Sequence, residues 1–437
     1  MKFVLGTVIG ILGISSLAGC SAEVGSPGEE SVSTTSDALL VTAAALSSGT
    51  RRDYDGDGKE DVLFFTNDIG TYETLGTSPG GFSLTPTTLI RSDLTPSNTK
   101  YTAGDFNHDG KTDLLVTTSS GTFEWTGKAG GGFNTSVWST TLFKLNAGTA
   151  DPNFDIVVGD FNGDGFTDFI ATTTGGSYLY TGKGTGGASG GFNANVWTNT
   201  TTAFKRGNVT FTVGNFDTNA TSDFIASTAT GGFLYTGTAG SGASGGFTAN
   251  VWTDSSLANG TYPNVTRIVA ANFNGVGGDD FIVQRPSGAF LYTAKTPQPA
   301  GGPSFNVNAW SDSSLGITGS TLAVGDYNGD GCSDFLYQDT ALRLRTYKQG
   351  TPSVPGTFSA ALLVDTRFPG FYDFSIKRGD FTGDGKDDFV IQSRPTTGDG
   401  SHEFTGTSSV GATPLPAHAG FNADVWNDSG SYQGSAW

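Results

Sequence analysis

Seven times, at intervals of 52 to 57 residues, the chain repeats an Asp/Asn-rich nonapeptide followed by a short apolar run. The copies begin at Asp53 (DYDGDGKED), Asp105 (DFNHDGKTD), Asp160 (DFNGDGFTD), Asn215 (NFDTNATSD), Asn272 (NFNGVGGDD), Asp326 (DYNGDGCSD) and Asp380 (DFTGDGKDD). A period of this length marks an architecture in which one supersecondary unit recurs and buries its apolar face on its neighbours.

Within each copy, oxygen-bearing side chains at positions 1, 3, 5 and 9 surround a glycine at position 6, which lets the loop turn sharply. Hard oxygen donors at this spacing suit calcium. The first copy offers Asp53, Asp55, Asp57 and Asp61; the second Asp105, Asn107, Asp109 and Asp113; the third Asp160, Asn162, Asp164 and Asp168. The sixth offers Asp326, Asn328, Asp330 and Asp334, and the seventh Asp380, Thr382, Asp384 and Asp388. The fourth has Asn215, Asp217, Asn219 and Asp223, with Ala220 where glycine is expected, and the fifth has Val276 at position 5. Ligand charge sets affinity, so the expectation is five good calcium sites, a doubtful fourth and a weak or empty fifth. An EF-hand would need a Glu at position 12, where Phe64, Val116 and Ala171 stand instead, within β-rich runs. Asx-turns without metal are the competing account, and repetition in phase favours the ion.

Charge arithmetic points the same way. The nonapeptides hold 22 Asp or Glu and three Lys, a net of −19, against −18 for the whole chain. The acidity therefore belongs to the loops, and no basic stripe exists to meet nucleic-acid phosphates.

The N-terminus reads as an export signal: Lys2, an apolar run to Leu17, then Leu17-Ala18-Gly19-Cys20. The tetrapeptide resembles a bacterial lipobox, which implies a signal peptide at 1–19 and lipid on Cys20. Residues 20–37 read as a flexible tether, and 38–437 as the folded domain. Ser21 after the lipidated cysteine implies the outer membrane by the enterobacterial sorting rule. Cys332 is the only other cysteine, so no internal disulfide is available once Cys20 is modified.

Each period holds four β-like segments. In the third they are DIVVGD, DFIATT, SYLYTG and GFNANVWT, joined by glycine-rich turns, and the 66 glycines suit many such turns. The expected fold is all-β: a seven-bladed β-propeller with calcium-binding loops, whose core is a set of blade-to-blade interfaces. Each repeat opens its fourth segment with an aromatic: Phe82, Phe133, Phe192, Phe247, Phe305, Phe358 and Phe421. The repeats run from segment one to segment four, so ring closure requires no obvious strand exchange between termini, and the run Ala38–Leu46 is the spare strand candidate for an outer edge. The DxNGDGxxD loops with their apolar followers resemble FG-GAP or VCBS-type repeats, as in the integrin α-subunit propeller, over residues 38 to 437. The FG and GAP tripeptides themselves are not evident.

A second motif recurs as GGFNTSVW, GGFNANVW, GGFTANVW, PSFNVNAW and AGFNADVW, ending at Trp138, Trp197, Trp252, Trp310 and Trp426. These tryptophans read first as blade packing and second as sugar-stacking platforms, with Asn193, Asn195, Asn306 and Asn308 as hydrogen-bonding partners. The fold also resembles seven-bladed lectins that bind sugars between blades. Integrin-like geometry implies loops on one face and a ligand face with turns Ser119–Thr122, Thr174–Ser177, Thr230–Gly232 and Pro286–Gly288. The three histidines lie in unrelated contexts, and no G-x-S-x-G elbow, zinc-spaced pair or phosphate loop occurs. The sequence thus points to a monomeric, non-catalytic binding module for an extracytoplasmic protein or glycan, anchored at the bacterial cell envelope.

Overall fold

In the computed structural model the chain divides into two units, Met1–Asp37 and Ala38–Trp437. The described residues all lie in the second: 52–66, 70–76, 88–91, 98–146, 152–184, 190–259, 267–295, 302–316, 322–338, 344–347, 358, 362–365, 374–393, 401–406, 421–428 and 435–436. The signal peptide, Cys20, the tether, Ala38–Leu46 and Phe82 lie outside them. Among the described residues, no helix is long and apolar enough to cross a membrane.

The described strands form seven antiparallel sheets of four, one per repeat. Blade two is typical: Lys100–Gly104, Asp113–Thr118, Gly121–Gly127 and Phe133–Thr140, with its nonapeptide bridging the first two strands. The second strand reads DLLVTT and is buried almost throughout, and its counterparts DFIATT, DFIAST and DFIVQR repeat the pattern. A strand covered on both faces needs such continuous apolar character. The outer strand is mostly exposed or half-buried. First strands of adjacent blades approach one another, Val209–Gly214 against Phe154–Gly159 and Arg267–Ala271, which places them innermost.

The core lies between blades, as the sequence implied. Val157, Phe161, Ile170 and Leu179 of blade three pack with Phe204, Phe211, Phe224 and Tyr235 of blade four. The next seam joins Phe216, Ile225 and Leu234 to Phe281, Val283 and Phe305. Position 2 of the nonapeptide, aromatic in all seven copies, turns out to belong to this core. Phe106 meets Phe192, Phe161 meets Phe247 and Phe216 meets Phe305, edge-on at 5.4, 5.5 and 5.8 Å between centroids.

Ring closure departs from expectation. The inner strand of blade one comes from the C-terminus: Ser435 pairs with Phe65 and Ala436 with Phe64, giving a sheet order of last strand, then first, second and third. Among the described residues, blade one is thus completed by a strand from the C-terminus beside the three that follow its own loop.

A backbone hydrogen bond crosses every seam. The position-8 amide of each loop donates to the position-1 carbonyl of the preceding loop: Thr112 to Asp53, Thr167 to Asp105, Ser222 to Asp160, Asp279 to Asn215, Ser333 to Asn272 and Asp387 to Asp326. The seventh, Glu60 to Asp380 at 3.0 Å, closes the ring. Acidic side chains at position 8 add a return bond, since Asp279 Oδ2 accepts the Asn215 amide at 2.8 Å and Asp387 Oδ2 the Asp326 amide at 2.7 Å. The residue before the loop is kept small by this contact. A Cβ on Gly325 would stand 2.5 Å from Asp387 Oδ2, and one on Gly379 2.6 Å from Glu60 Oε2. Within blade seven, Arg378 pairs with Asp387 at 3.3 Å. Burial raises the Glu60 carboxyl above its usual range, against the pull of Arg52 and Arg378.

The outer strands share a register break. It falls between the third-strand partners Glu124/Thr126, Leu179/Thr181, Leu234/Thr236 and Leu291/Thr293. Opposite each break stands a residue of positive φ: Ser136 (59°), Asn195 (57°), Asn250 (57°) and Asn308 (57°). Asparagine tolerates this conformation better than most side chains, which accounts for its recurrence there.

Candidate metal centres

Each nonapeptide folds as a run of Asx-turns around its first side chain. In loop one, Asp53 Oδ1 accepts the Gly56 and Asp57 amides at 2.6 and 3.0 Å, and Oδ2 accepts Gly58 at 2.7 Å. Asp160 and Asp326 repeat all three bonds. The amides converge because positions 4 and 6 both have positive φ: Gly56 79° and Gly58 89°, Gly163 74° and Gly165 90°. The sequence reading singled out position 6 alone. Position 4 is glycine in five copies, and His108 (55°) and Thr218 (67°) adopt the same conformation there. His108 Nδ1 also lies 2.7 Å from the Gly165 carbonyl of the next loop.

Positions 3 and 5 continue the pattern. Asn162 Oδ1 accepts the Asp164 amide at 3.1 Å, and Asp164 Oδ1 the Phe166 amide at 3.1 Å. In loops one and seven the position-7 lysines Lys59 and Lys386 pair with Asp57 and Asp384, and in loop two Lys111 pairs with Asp109 at 3.0 Å. The lysine shares that carboxylate with any ion.

Position 9 does something the ligand pattern did not reveal. Its carboxylate ties three strands of one blade together. Asp168 Oδ2 accepts the Phe161 amide at 2.9 Å, and Oδ1 accepts Gly182 at the end of the third strand at 2.8 Å. Asp113 and Asp223 make the same pair of bonds, and Asp61 bonds Tyr54 and Gly76. Burial pushes Asp113, Asp168, Asp223 and Asp280 up to about 8, against the pull of these amides.

Two observations bear on whether a cation fits. In loop one, Asp53, Asp55 and Asp61 bring carboxylate oxygens within 4.8 Å of one another. The crowding shows in Asp55, raised by burial and then by Asp57 and Asp53. In loop seven, Thr382 Oγ1 is buried with no hydrogen-bond partner, so its lone pairs remain available to an ion. Four oxygen side chains with unused lone pairs in a tight turn are what a hard divalent cation requires. By residue type loops one, two, three, six and seven carry four such side chains, and among the described residues it is in loop one that three carboxylates come within 4.8 Å of one another.

Loop four differs in kind. The Asn215 side-chain amide donates to the Asn219 backbone carbonyl at 2.6 Å, and the Asn219 side-chain amide to Asp217 Oδ2 at 2.9 Å. A bond of that kind also occurs in loop three, where the Asn162 side-chain amide donates to Asp164 Oδ2 at 3.0 Å, so what sets loop four apart is the neutral pair Asn215 and Asn219 at positions 1 and 5. Loop five has Val276 exposed at position 5, while the Asn274 amide donates to Asp280 Oδ1 at 3.1 Å. Its neighbour Asp279 serves the seam with blade four instead.

The tryptophans lie at seams. Trp138, Trp197, Trp252 and Trp310 each meet the opening phenylalanine of the next blade's outer strand edge-on: Phe192, Phe247, Phe305 and Phe358, with centroids 4.9, 5.1, 4.9 and 4.8 Å apart. All four rings are half-buried. Trp426 falls in the strand Phe421–Asp428, but its side chain lies outside the described residues. Asn193 and Asn306 donate back to Thr181 and Thr293 at 3.2 and 3.3 Å, while Asn195 and Asn308 are exposed. The strand order puts the nonapeptide loops at one end of each blade and the turns between second and third strands at the other.

Comparison with known proteins agrees with this architecture. The FG-GAP-like repeat family matches residues 53–116, and the FG-GAP repeat matches 102–138 and 153–190. No curated protein matches the chain. Among solved structures, an Agrocybe aegerita lectin that recognises non-reducing terminal N-acetylglucosamine is similar over 87% of this chain and 95% of its own, with 15% identity and a TM-score of 0.63. A Lactobacillus plantarum protein covers 85% of this chain and 98% of its own, at 11% identity and a TM-score of 0.46. The exotype rhamnogalacturonan lyase YesX covers 80% and 76%, at 11% and 0.34. At 15% identity the likeness to the lectin is one of fold. This seven-bladed β-propeller thus carries repeats of the FG-GAP type, detected at residues 53–116 by the FG-GAP-like model and at 102–138 and 153–190 by the FG-GAP model.

Proposed function

We propose that the chain is a calcium-stabilised binding module, held at the bacterial cell envelope by lipid on Cys20 and presenting its propeller to a protein or glycan ligand. The observation that carries the calcium reading is the convergence of Asp53, Asp55 and Asp61, repeated in oxygen-donor type in loops two, three, six and seven. Bound Ca²⁺ would offset the repulsion among those carboxylates and fix turns that sit at every seam. The acids are then accounted for as ligands and backbone acceptors, and the chain is read as non-catalytic.

A lectin reading has its own support in the half-buried tryptophans along the blade seams and in the fold likeness to a sugar-binding propeller. A glycan array probed with the soluble domain decides between the two. Binding that is lost in Trp197→Ala, with the variant still folded, would establish the lectin, and silence across the array would favour a protein ligand. For calcium, a site filled to a hundred times its dissociation constant adds about 2.7 kcal/mol of stability. Melting that is indifferent to chelator would remove the calcium claim. For the anchor, Cys20→Ser is expected to release the protein from membranes, and continued co-sedimentation with them would refute lipidation.

A further inference from the structure

Blade four carries a glycine-rich segment between its third and outer strands, Ala239 to Gly245, that leaves its own blade and lies across loop three of blade three. Gly240 donates its amide to the Asn162 carbonyl at 2.8 Å. Gly242 donates to Asp164 Oδ2 at 3.1 Å. On its other side, the Gly242 carbonyl accepts from Thr181 Oγ1, which in turn accepts the Asn193 amide at 3.2 Å. The approach is close enough that a Cβ on Gly245 would stand 2.8 Å from Asn162 Cβ. Gly242 and Gly245 have φ of 57° and 131°, which side-chain-bearing residues rarely adopt.

The segment is shaped for this contact. Ser241 and Ser244 close it into a turn through bonds of 2.8, 2.9 and 3.1 Å, so its form does not depend on loop three. Gly240, Gly242 and Gly245, which touch blade three, are half-buried, while Ala239, Ser241, Ala243 and Ser244 are exposed. Blade two provides the contrast. Its corresponding segment is shorter and closes on itself through Lys128 to Gly132 and Gly131 to Lys128, both 3.0 Å.

We infer that Ala239–Gly245 is a strap through which metal occupancy of loop three is transmitted to the outer strand of blade three. The inference rests on the calcium reading above. Asp164 already receives three donors, from Phe166, the Asn162 amide and Gly242. A carboxylate offers about four acceptor positions, so an ion and the strap can share it. An ion held by Asp164 fixes its rotamer, and the Gly242 amide then meets an immobile charged acceptor. The strap docks, and Thr181 and Asn193 are held from the same glycine. Asn193 lies on the strand that carries Trp197, so occupancy of loop three alters order on the surface a ligand would meet.

Amide hydrogen exchange of the full exported chain, in calcium and in chelator, tests this. Strap amides are expected to exchange at least about tenfold more slowly with calcium, the size associated with fixing one hydrogen bond to a charged group. Asp164→Asn is expected to erase that difference, and Asp330→Asn in loop six to leave it in place. A melt that responds to calcium while strap exchange does not would overturn the strap and spare the calcium reading. Indifference of both melt and exchange would overturn both. A strap response that survives in Asp164→Asn would also overturn the proposal, because the coupling would then run through another group.

Discussion

The double role of position 9 gives the sharpest test of how these loops divide their work. Asp168 is fully buried, and its two oxygens take the amides of Phe161 and Gly182. Replacing it by alanine strands both amides away from water, at about 1–3 kcal/mol each, so roughly 2–6 kcal/mol before relaxation or water entry. That loss needs no metal. A neutral carboxyl accepts the same two amides, so the penalty persists even where burial keeps Asp168 protonated. Asp164, two turns earlier in the same loop, is a different case. Its partners are a neighbouring amide, the Asn162 side chain and the strap, in a half-exposed loop. Asp164→Ala is expected to cost about 1 kcal/mol in chelator and a further ~2–3 kcal/mol in saturating calcium, when its ion is lost. Urea unfolding of both variants and the parent, in calcium and in chelator, separates these terms. Asp168→Ala unfolding at the parent's urea concentration in chelator would refute the reasoning, since two stranded amides would then have cost nothing.

Other expectations follow from the same geometry. In chelator, stability should rise as pH falls from about 8 towards 4. Burial places Asp113, Asp168, Asp223 and Asp280 at about 8 in the folded chain against 3.8 in the free side chain, so folding takes up protons across that window. Calcium binding needs the ionised form and should weaken over the same range; thermal melts on a pH series, with and without calcium, check both slopes. Trp197→Ala should cost about 2–4 kcal/mol, because the ring packs on Phe247, Phe224 and Phe204, and a loss below about 0.5 kcal/mol would mean the ring is spared for a ligand. Deleting residues 433–437 removes the strand that completes blade one, so faster exchange of the Phe64 and Phe65 amides is expected, and unchanged exchange there would contradict C-terminal closure.

Much of this was legible in the sequence because it is written in side chains that repeat. The period gave the blades, and the runs DLLVTT, DFIATT and DFIVQR gave the buried second strands. The recurring Trp and the opening Phe of the next repeat gave four of the seams. Other parts are carried by backbone or by glycine, which leave little trace. The position-8 bond uses an amide common to Glu60, Thr112, Ser222 and Asp387, so no residue type marks it. Among the described residues the closing strand has two that pair, Ser435 and Ala436, too few for any alternation to show. Position 9 was read as a ligand because aspartate suits both an ion and a pair of amides, and only the distances to Phe161 and Gly182 distinguish the second use. The strap reads as a plain glycine-rich turn, since its contacts come from amides with no side chain to announce them.

The kinked outer strands deserve one more consequence. A ring of sheets ends in a rim of open β edges, each a template on which another polypeptide can lay a strand. A flat edge repeated around the rim invites stacking of one copy on another. The left-handed residue in the middle of the edge, Ser136, Asn195, Asn250 or Asn308, breaks the run of in-line donors and acceptors after three or four residues. Too few consecutive bonds remain to hold a stranger's strand. The kink thus works against edge-to-edge pairing at the rim, the one surface where a repeated β architecture would otherwise offer the same template again and again.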